Sequence, residues 1–303
     1  MCVKGLVARP YQDESDLLAM QALVQRIWSK ECHIHIGDLA WQRGRWKAGK
    51  PDWPTMLWEI EGSIAAWGWM QLPNEFEFLV DPAVPDLVDV VLDWAKSETL
   101  SIQLKTAVLD TEAHLIDALL RHGFQAVDGW FFDYMSRPLH NLPEPVLPPG
   151  FTARAVALPD DFERRVQVHR KAWSVLPFAD GERVVTSKLT PEAFQETVTT
   201  WPYRAELDWV VVSPDGEFAA TCCTWLDEKN GVIELEPVGT DPAYRHLGLG
   251  SAVCLAAMNA ARAVGAQDAI VYARGDGAYP VPRILYAKLE FVGYGRTRTY
   301  VWG

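Results

Sequence analysis

Apolar and polar positions fall into two sets of short runs that recur in the same order along the chain. Asp16–Trp28 and Phe162–Trp173 place apolar residues at helical spacing behind acidic starts, so each predicts an amphipathic helix. Trp58–Trp69 holds two strand-like runs around the turn Glu61-Gly62, and Trp209–Trp225 repeats this around Asp215-Gly216. Further on, Ile233–Thr240 predicts a strand, Ser251–Val264 an alanine-rich helix ended by Gly265, and Asp268–Ala273 another strand. Each half therefore reads as strand, helices, two or three antiparallel strands, helix, strand, helix and final strand. That order predicts an α/β (α+β) fold, each half a mixed, mainly antiparallel central sheet flanked by helices.

The two halves are diverged copies. Gly5-Leu6-Val7-Ala8-Arg9 returns as Gly150-Phe151-Thr152-Ala153-Arg154, an offset of 145. In both, a tryptophan follows the arginine by 19 residues, Trp28 after Arg9 and Trp173 after Arg154. Val80-Asp81-Pro82 matches Thr240-Asp241-Pro242, and Leu119-Leu120-Arg121-His122-Gly123-Phe124 matches Tyr286-Ala287-Lys288-Leu289-Glu290-Phe291. Between the copies, Pro138, Pro143, Pro145, Pro148 and Pro149 mark a stiff linker. The expected division is residues 1–138, a linker over 139–149, and residues 150–303, the two halves packing as a pseudo-dimer.

Composition narrows the function classes. A net charge of −12 argues against a nucleic-acid binder, which needs a basic surface. No apolar run reaches the roughly 18 residues of a membrane span, and the first residues lack the pattern of a signal peptide. The cytoplasm is the expected compartment, with the five cysteines (Cys2, Cys32, Cys222, Cys223, Cys254) as free thiols. Their spacing is not that of a metal site. Cys32-His33-Ile34-His35 is an incomplete ligand set, so no metal is expected.

The chemistry concentrates in the second half. Asp241-Pro242-Ala243-Tyr244 leads into Arg245-His246-Leu247-Gly248-Leu249-Gly250 between the predicted strand and helix. A glycine-rich turn opening a helix aims several backbone N–H groups at one spot, where the helix dipole also favours an anion such as a diphosphate. No Gly-Lys-Ser/Thr follows, which excludes a nucleotide-hydrolysing P-loop. Val253 occupies the place of the third glycine of a dinucleotide fingerprint.

Arg245-x-x-Gly248-x-Gly250 resembles the R/Q-x-x-G-x-G/A signature of the GNAT superfamily of acetyltransferases. Ile284-Leu285-Tyr286-Ala287-Lys288-Leu289-Glu290-Phe291 is similar to that superfamily's later segment. The likeness covers residues 150–303 directly, and residues 1–138 only through the repeat. Two positions depart from the family pattern: Glu290 stands where glycine is usual, and Tyr279 where many members carry an asparagine. The resemblance implies acetyl-coenzyme A as acyl donor. Pantetheine would run in a gap between splayed strands near Val238, Gly239 and Thr240. The diphosphate would rest on the N–H groups of Arg245, His246, Leu247, Gly248, Leu249, Gly250 and Ser251, with side-chain help from Arg245 and His246.

Acyl transfer to an amine needs a base for the ammonium, a donor for the oxyanion and a proton for the departing thiolate. Glu234 and Glu236 share one face of their strand and are the candidate bases, and the resemblance makes Tyr286 the acid. It also places His169, Trp173, Trp201 and Tyr203 where the family builds its acceptor pocket. Cys222 and Cys223 lack a nearby histidine partner, which favours direct transfer over a covalent intermediate. The first copy has no Arg-x-x-Gly-x-Gly and carries Leu119 in place of Tyr286, so it is read as degenerate. The expected reaction is N-acetylation of a small-molecule primary amine by a monomer or homodimer. Transfer of another acyl group, or non-catalytic acyl-coenzyme A sensing, are the alternatives.

Overall fold

The structure, a computed structural model, describes residues 5–47 and 53–303; Cys2 lies outside them. The first copy supplies β1 (Leu6–Pro10), α1 (Glu14–Ile27), α2 (Ile36–Lys47), β2 (Thr55–Ile60), β3 (Ser63–Gln71) and β4 (Glu75–Val80). It continues with α3 (Leu87–Glu98), β5 (Leu104–Leu109), α4 (Ala113–Arg121), β6 (Gln125–Val127) and β7 (Phe132–Pro138). The second copy begins with β8 (Thr152–Ala155), α5 (Phe162–Ala172), β9 (Val175–Phe178), β10 (Gly181–Val184) and α6 (Pro191–Thr199). It then adds β11 (Asp208–Val212), β12 (Phe218–Asp227), β13 (Val232–Thr240) and α7 (Leu249–Ala263). Last come β14 (Asp268–Arg274), α8 (Val281–Lys288) and β15 (Val292–Trp302).

Two compact units emerge, and neither is a contiguous half. Unit 1 gathers Met1–His35, Pro51–Phe131 and Gly295–Gly303; unit 2 gathers Ile36–Lys50 and Phe132–Tyr294. The sheet of unit 1 runs β1-β2-β3-β4-β5-β15, with β6 also on β15. That of unit 2 runs β8-β11-β12-β13-β14-β7. Pairing is antiparallel throughout except at β4/β5 and β13/β14, which are parallel. Both sheets are therefore mixed and mainly antiparallel, as the sequence pattern predicts. The copies depart from a division at the proline-rich segment first in their last strands, each of which joins the other's unit. β7 pairs with β14 over Phe132–Pro138, and β15 pairs with β5 over Thr297–Trp302.

The repeat survives in hydrogen-bond detail. Arg9 holds Asp16 while Asp16 caps the Gln12 N–H at 2.7 Å; Arg154 holds Asp161 while Asp161 caps the Ala157 N–H at 2.8 Å. Every partner is offset by 145, so the arginine of the repeated Ala-Arg pair pins the same turn twice. Asp81 and Asp241 likewise each accept from the N–H two residues on, Ala83 at 2.9 Å and Ala243 at 3.0 Å. At the ends of α4 and α8, the N–H of Phe124 donates to Leu119 O and that of Phe291 to Tyr286 O, both at 3.0 Å.

Helix α2 is the other exchanged element. Although it belongs to the first copy, it packs in unit 2 on α6, β12 and β13. Its sequence explains how it gets so close. A Cβ at Gly37 would fall 2.5 Å from Trp225 Cβ and Cγ, and one at Gly44 2.6 Å from Thr197 Oγ1. Seven residues apart, these glycines lie on one helix face, and Trp41 between them is buried.

Candidate active site

The parallel ladder between β13 and β14 stops early. Register runs from Val232↔Asp268 to Glu234↔Ile270 and no further, although β13 continues to Thr240 and β14 to Arg274. Beyond Glu234, β13 stays attached to β12, with Cys222 opposite Val238 and Ala220 opposite Thr240. A register shift between Cys222 and Thr224 takes up the extra residue around Glu236-Pro237. Pro237 has no N–H to give to a ladder. The two strands thus part where the resemblance places pantetheine, at Val238, Gly239 and Thr240. Gly239 is required by close packing: a Cβ there would meet Trp173 Cζ3 at 2.5 Å and Ala172 Cβ at 2.7 Å.

The loop after β13 ends in an anion cradle. His246 (φ 64°) and Gly248 (φ 81°) take left-handed conformations on either side of Leu247, and α7 begins directly behind. Such alternation turns successive N–H groups inward. The first helical bond in α7 runs from the Ala252 N–H to Gly248 O, so the N–H groups of Leu249, Gly250 and Ser251 precede the helix's own ladder. A Cβ on Gly248 would meet nothing within 4 Å, so the space in front of the turn is open. Gly250 faces Thr240 Oγ1, which a Cβ would approach to 3.3 Å. Leu249 is buried; His246 and Leu247 are exposed. Arg245 differs from expectation. Its guanidinium donates to Val175 O, at the start of β9, at 2.6 Å and to Ala172 O, at the C-terminal end of α5, at 3.2 Å. It anchors the loop from below, and its Nη1 is buried without a hydrogen-bond partner. Backbone donors, open space and a helix N-terminus fit a diphosphate.

Tyr286 sits on α8, buried, its ring edge-on to Phe291 at 5.4 Å. Burial, the thiols of Cys254 and Cys222 and then the carboxylates of Glu236 and Glu234 push its hydroxyl well above the usual tyrosine range. The phenol therefore stays protonated. Glu290, four residues after Tyr286, takes φ 61° where Gly123 of the first copy has φ 81°. Arg137 compensates: it donates to Leu289 O and pairs with Glu290 Oε2 at 3.0 Å. Tyr279, the other departure, packs against Phe178 of β9 at 5.2 Å, and Ala278 O accepts the Ala179 N–H.

The candidate bases come with a partner that sequence reasoning missed. Side-chain oxygens of Asp38, Glu234 and Glu236 lie within 4.8 Å of one another. Asp38 and Glu234 are buried and Glu236 is half-buried. Glu234 is the residue on which the influences of Asp38 and Glu236 converge. Burial, then the charge of Glu236, raises Glu234 well above the usual carboxylate range, with Asp38 pulling the other way. Tyr272 on β14 turns its hydroxyl toward the same charges, and burial followed by Asp38 and Glu234 pushes it up. Asp38 is in the first turn of α2, 196 residues from Glu234. An acidic residue opening a helix beside Gly37 was the available signal, but nothing local ties it to β13.

Of the expected acceptor-wall residues, the structure joins two and separates two. His169 stacks on Trp173 at 4.2 Å, lies 5.7 Å from Trp41 of α2 and bonds Ser187 Oγ at 3.2 Å. An aromatic row thus runs from the helix that carries Asp38 to the strand that carries Glu236. Tyr203 gives its hydroxyl to Asp208 at 3.1 Å, within a buried cluster where Arg165 grips Asp208 at 2.9 Å, and sets its ring edge-on to Trp225 at 6.1 Å. Trp201 is 45% exposed. The four described cysteines are buried and outside any disulfide, and burial raises Cys222 and Cys223 well above the usual thiol range, which suits inert thiols. His33 is likewise engaged away from this site, bonded to Glu112 at 2.7 Å within unit 1.

Two mixed sheets, each with one parallel pair, of which β13/β14 parts beside the N-terminus of α7, define the class as a tandem GNAT fold. Residues 177–291 match the model of the Acetyltransferase (GNAT) family. The GCN5-related N-acetyltransferase from Sphaerobacter thermophilus superposes with a TM-score of 0.62 at 16% identity, covering 100% of this chain and 96% of that one. A tandem GNAT protein from the clavulanic acid biosynthesis pathway gives 0.63 at 12% identity, covering 98% of both chains. Saccharomyces cerevisiae N-myristoyltransferase with bound myristoyl-CoA gives 0.56 at 11%, covering 100% of this chain and 79% of that one. A search among curated proteins found no match. A GNAT domain on this fold supports acyl transfer in general. Among the described residues, no helix is long and apolar enough to cross a membrane.

Proposed function

We propose that the protein is an N-acetyltransferase that moves acetyl from acetyl-coenzyme A directly to a small-molecule primary amine. The observation that carries this reading is the conjunction in unit 2 of parted strands, an anion cradle at the start of α7 and a buried neutral tyrosine beside a carboxylate cluster. That a fold neighbour holds myristoyl-CoA supports an acyl-coenzyme A donor here.

In the proposed reaction, the bound ammonium gives its proton to the cluster, with Glu236, the most exposed member, as base. The amine lone pair then attacks the thioester carbonyl and forms the C–N bond. Negative charge on the oxygen is met by a backbone N–H near Val238. The C–S bond breaks as Tyr286 gives its proton to the departing thiolate, and the second proton leaves the new amide nitrogen and, through solvent, restores the Tyr286 phenol. Three nearby carboxylates suit a cationic acceptor, and the row Trp41–His169–Trp173 offers it aromatic faces.

Residues 1–138 form the degenerate copy in this reading. Its turn after Asp81 passes through Pro85 into α3 at Leu87, without the positive-φ pair found at His246 and Gly248. Leu119 fills the place of Tyr286.

The test is thiol release from acetyl-coenzyme A over a panel of polyamines, amino sugars and amino-acid amides. Wild-type protein is expected to release thiol with at least one cationic amine. Tyr286→Phe is expected to lower kcat by about a hundredfold while keeping acetyl-coenzyme A affinity. Binding without any thiol release would instead indicate a sensor. Turnover is expected to be unchanged by a metal chelator; loss restored by a divalent cation would assign the carboxylates to a metal.

A further inference from the structure

We propose that Asp38, brought to unit 2 by α2 of the first copy, is a positioning residue that holds Glu234 and thereby sets where the cluster keeps its proton. This rests on the acetyltransferase reading of the same site.

Three geometric observations point to it. First, side-chain oxygens of Asp38, Glu234 and Glu236 all lie within 4.8 Å of one another, with Asp38 and Glu234 both buried. Carboxylates at such separations do not all ionise near neutral pH; they share protons and titrate as a group. Second, the approach of α2 is tight and specific. A Cβ on Gly37 would lie 2.8 Å from Glu234 Oε2 as well as against Trp225, so only glycine lets the start of α2 come this close to Glu234. Third, Trp225 Nε1 donates to Glu236 O at 2.6 Å, so the indole that receives α2 also fixes the neighbouring base's backbone.

The titratable groups facing Glu234 are Asp38 from α2, Glu236 on β13, Cys223 on β12, Tyr272 on β14 and Tyr286 on α8. Thiol and phenols are neutral when buried, so the balance of charge lies within the trio. With Asp38 holding Glu234, the retained proton stays on the buried side and Glu236 is left to accept from the acceptor.

Asp38→Asn tests this with little change of shape. The amide removes one charge and still offers Glu234 a donor, and both changes favour the ionised glutamates. The acidic limb of kcat/KM against pH is expected to move down by about one pH unit, with acetyl-coenzyme A affinity within about twofold of wild type. An infrared pH titration provides a readout independent of turnover. The protonated-carboxyl band that persists near pH 7 in wild type is expected to vanish at lower pH in the variant. Gly37→Ala, which displaces α2 without touching a charge, is expected to disturb the same band. If Asp38→Asn leaves both the pH profile and the band unchanged, the proposal is overturned while the acetyltransferase reading stands. If wild type releases no thiol from acetyl-coenzyme A, that reading fails, and the infrared titration still decides the role of Asp38 in the cluster.

Discussion

Glu290 carries a conformation that its side chain does not favour, φ 61°, at a position where the first copy uses Gly123. Its pairing with Arg137 is made by a carboxylate 78% exposed, so the ion pair returns little. Glu290→Gly is therefore expected to stabilise the protein by roughly 0.5–1 kcal/mol, read as a higher urea midpoint with an unchanged slope. A lower midpoint would show that the Arg137 pair outweighs the backbone term. At His33 burial works against the charged ring, but the charge and hydrogen bond of Glu112, with Glu77 behind them, raise it above the usual histidine range. The folded state thus binds a proton more tightly than the unfolded chain. The resulting stability is fully present below the unfolded value of about 6.5 and is lost as pH rises through the folded value. Unfolding measured across that window is expected to show stability falling with pH in wild type and a flatter profile in His33→Gln. These residue-level effects were only partly legible in the sequence. Glu290 and Tyr286 stand inside motifs, whereas Asp38 and the His33–Glu112 pair depend on residues brought together from distant segments.

Among the elements, those with a strong local signal were readable. The helices α1, α5 and α7, the strands β13 and β14 and the turns at Gly62 and Gly216 lie where hydrophobic period and turn residues put them. What the period does not encode is which sheet a strand joins. β7 and β15 each have the apolar positions of a sheet strand, and either unit offers such an edge; the exchange is fixed by the connection, not by the pattern. The same holds for α2, whose Gly37 and Gly44 show that something approaches closely without saying what. A fragment of residues 150–303 therefore lacks both α2 and β7, the antiparallel partner of β14. It is expected to show no cooperative thermal transition by circular dichroism. A fragment that unfolds cooperatively with native-like strand content would mean that the exchanged elements are dispensable.

For the whole molecule, duplication explains the shared strand order and the matched Arg9–Asp16 and Arg154–Asp161 turns, and divergence explains the single cradle. The motif behind the proposed acyl-donor site is contiguous and so was legible in the sequence. The proposed acceptor side was less so, since the Tyr203 hydroxyl is taken up by the buried Asp208 cluster and Asp38 comes from the other copy. The most direct test of the central claim is thermal unfolding of the intact protein with and without acetyl-coenzyme A, beside Gly248→Glu. A ligand at a hundredfold excess over its dissociation constant stabilises the fold it binds by about 2.7 kcal/mol. The account predicts a rise in Tm for wild type and none for the variant, whose side chain would put a carboxylate into the open space before the cradle. No rise for wild type at millimolar ligand, or an equal rise in both, would contradict it.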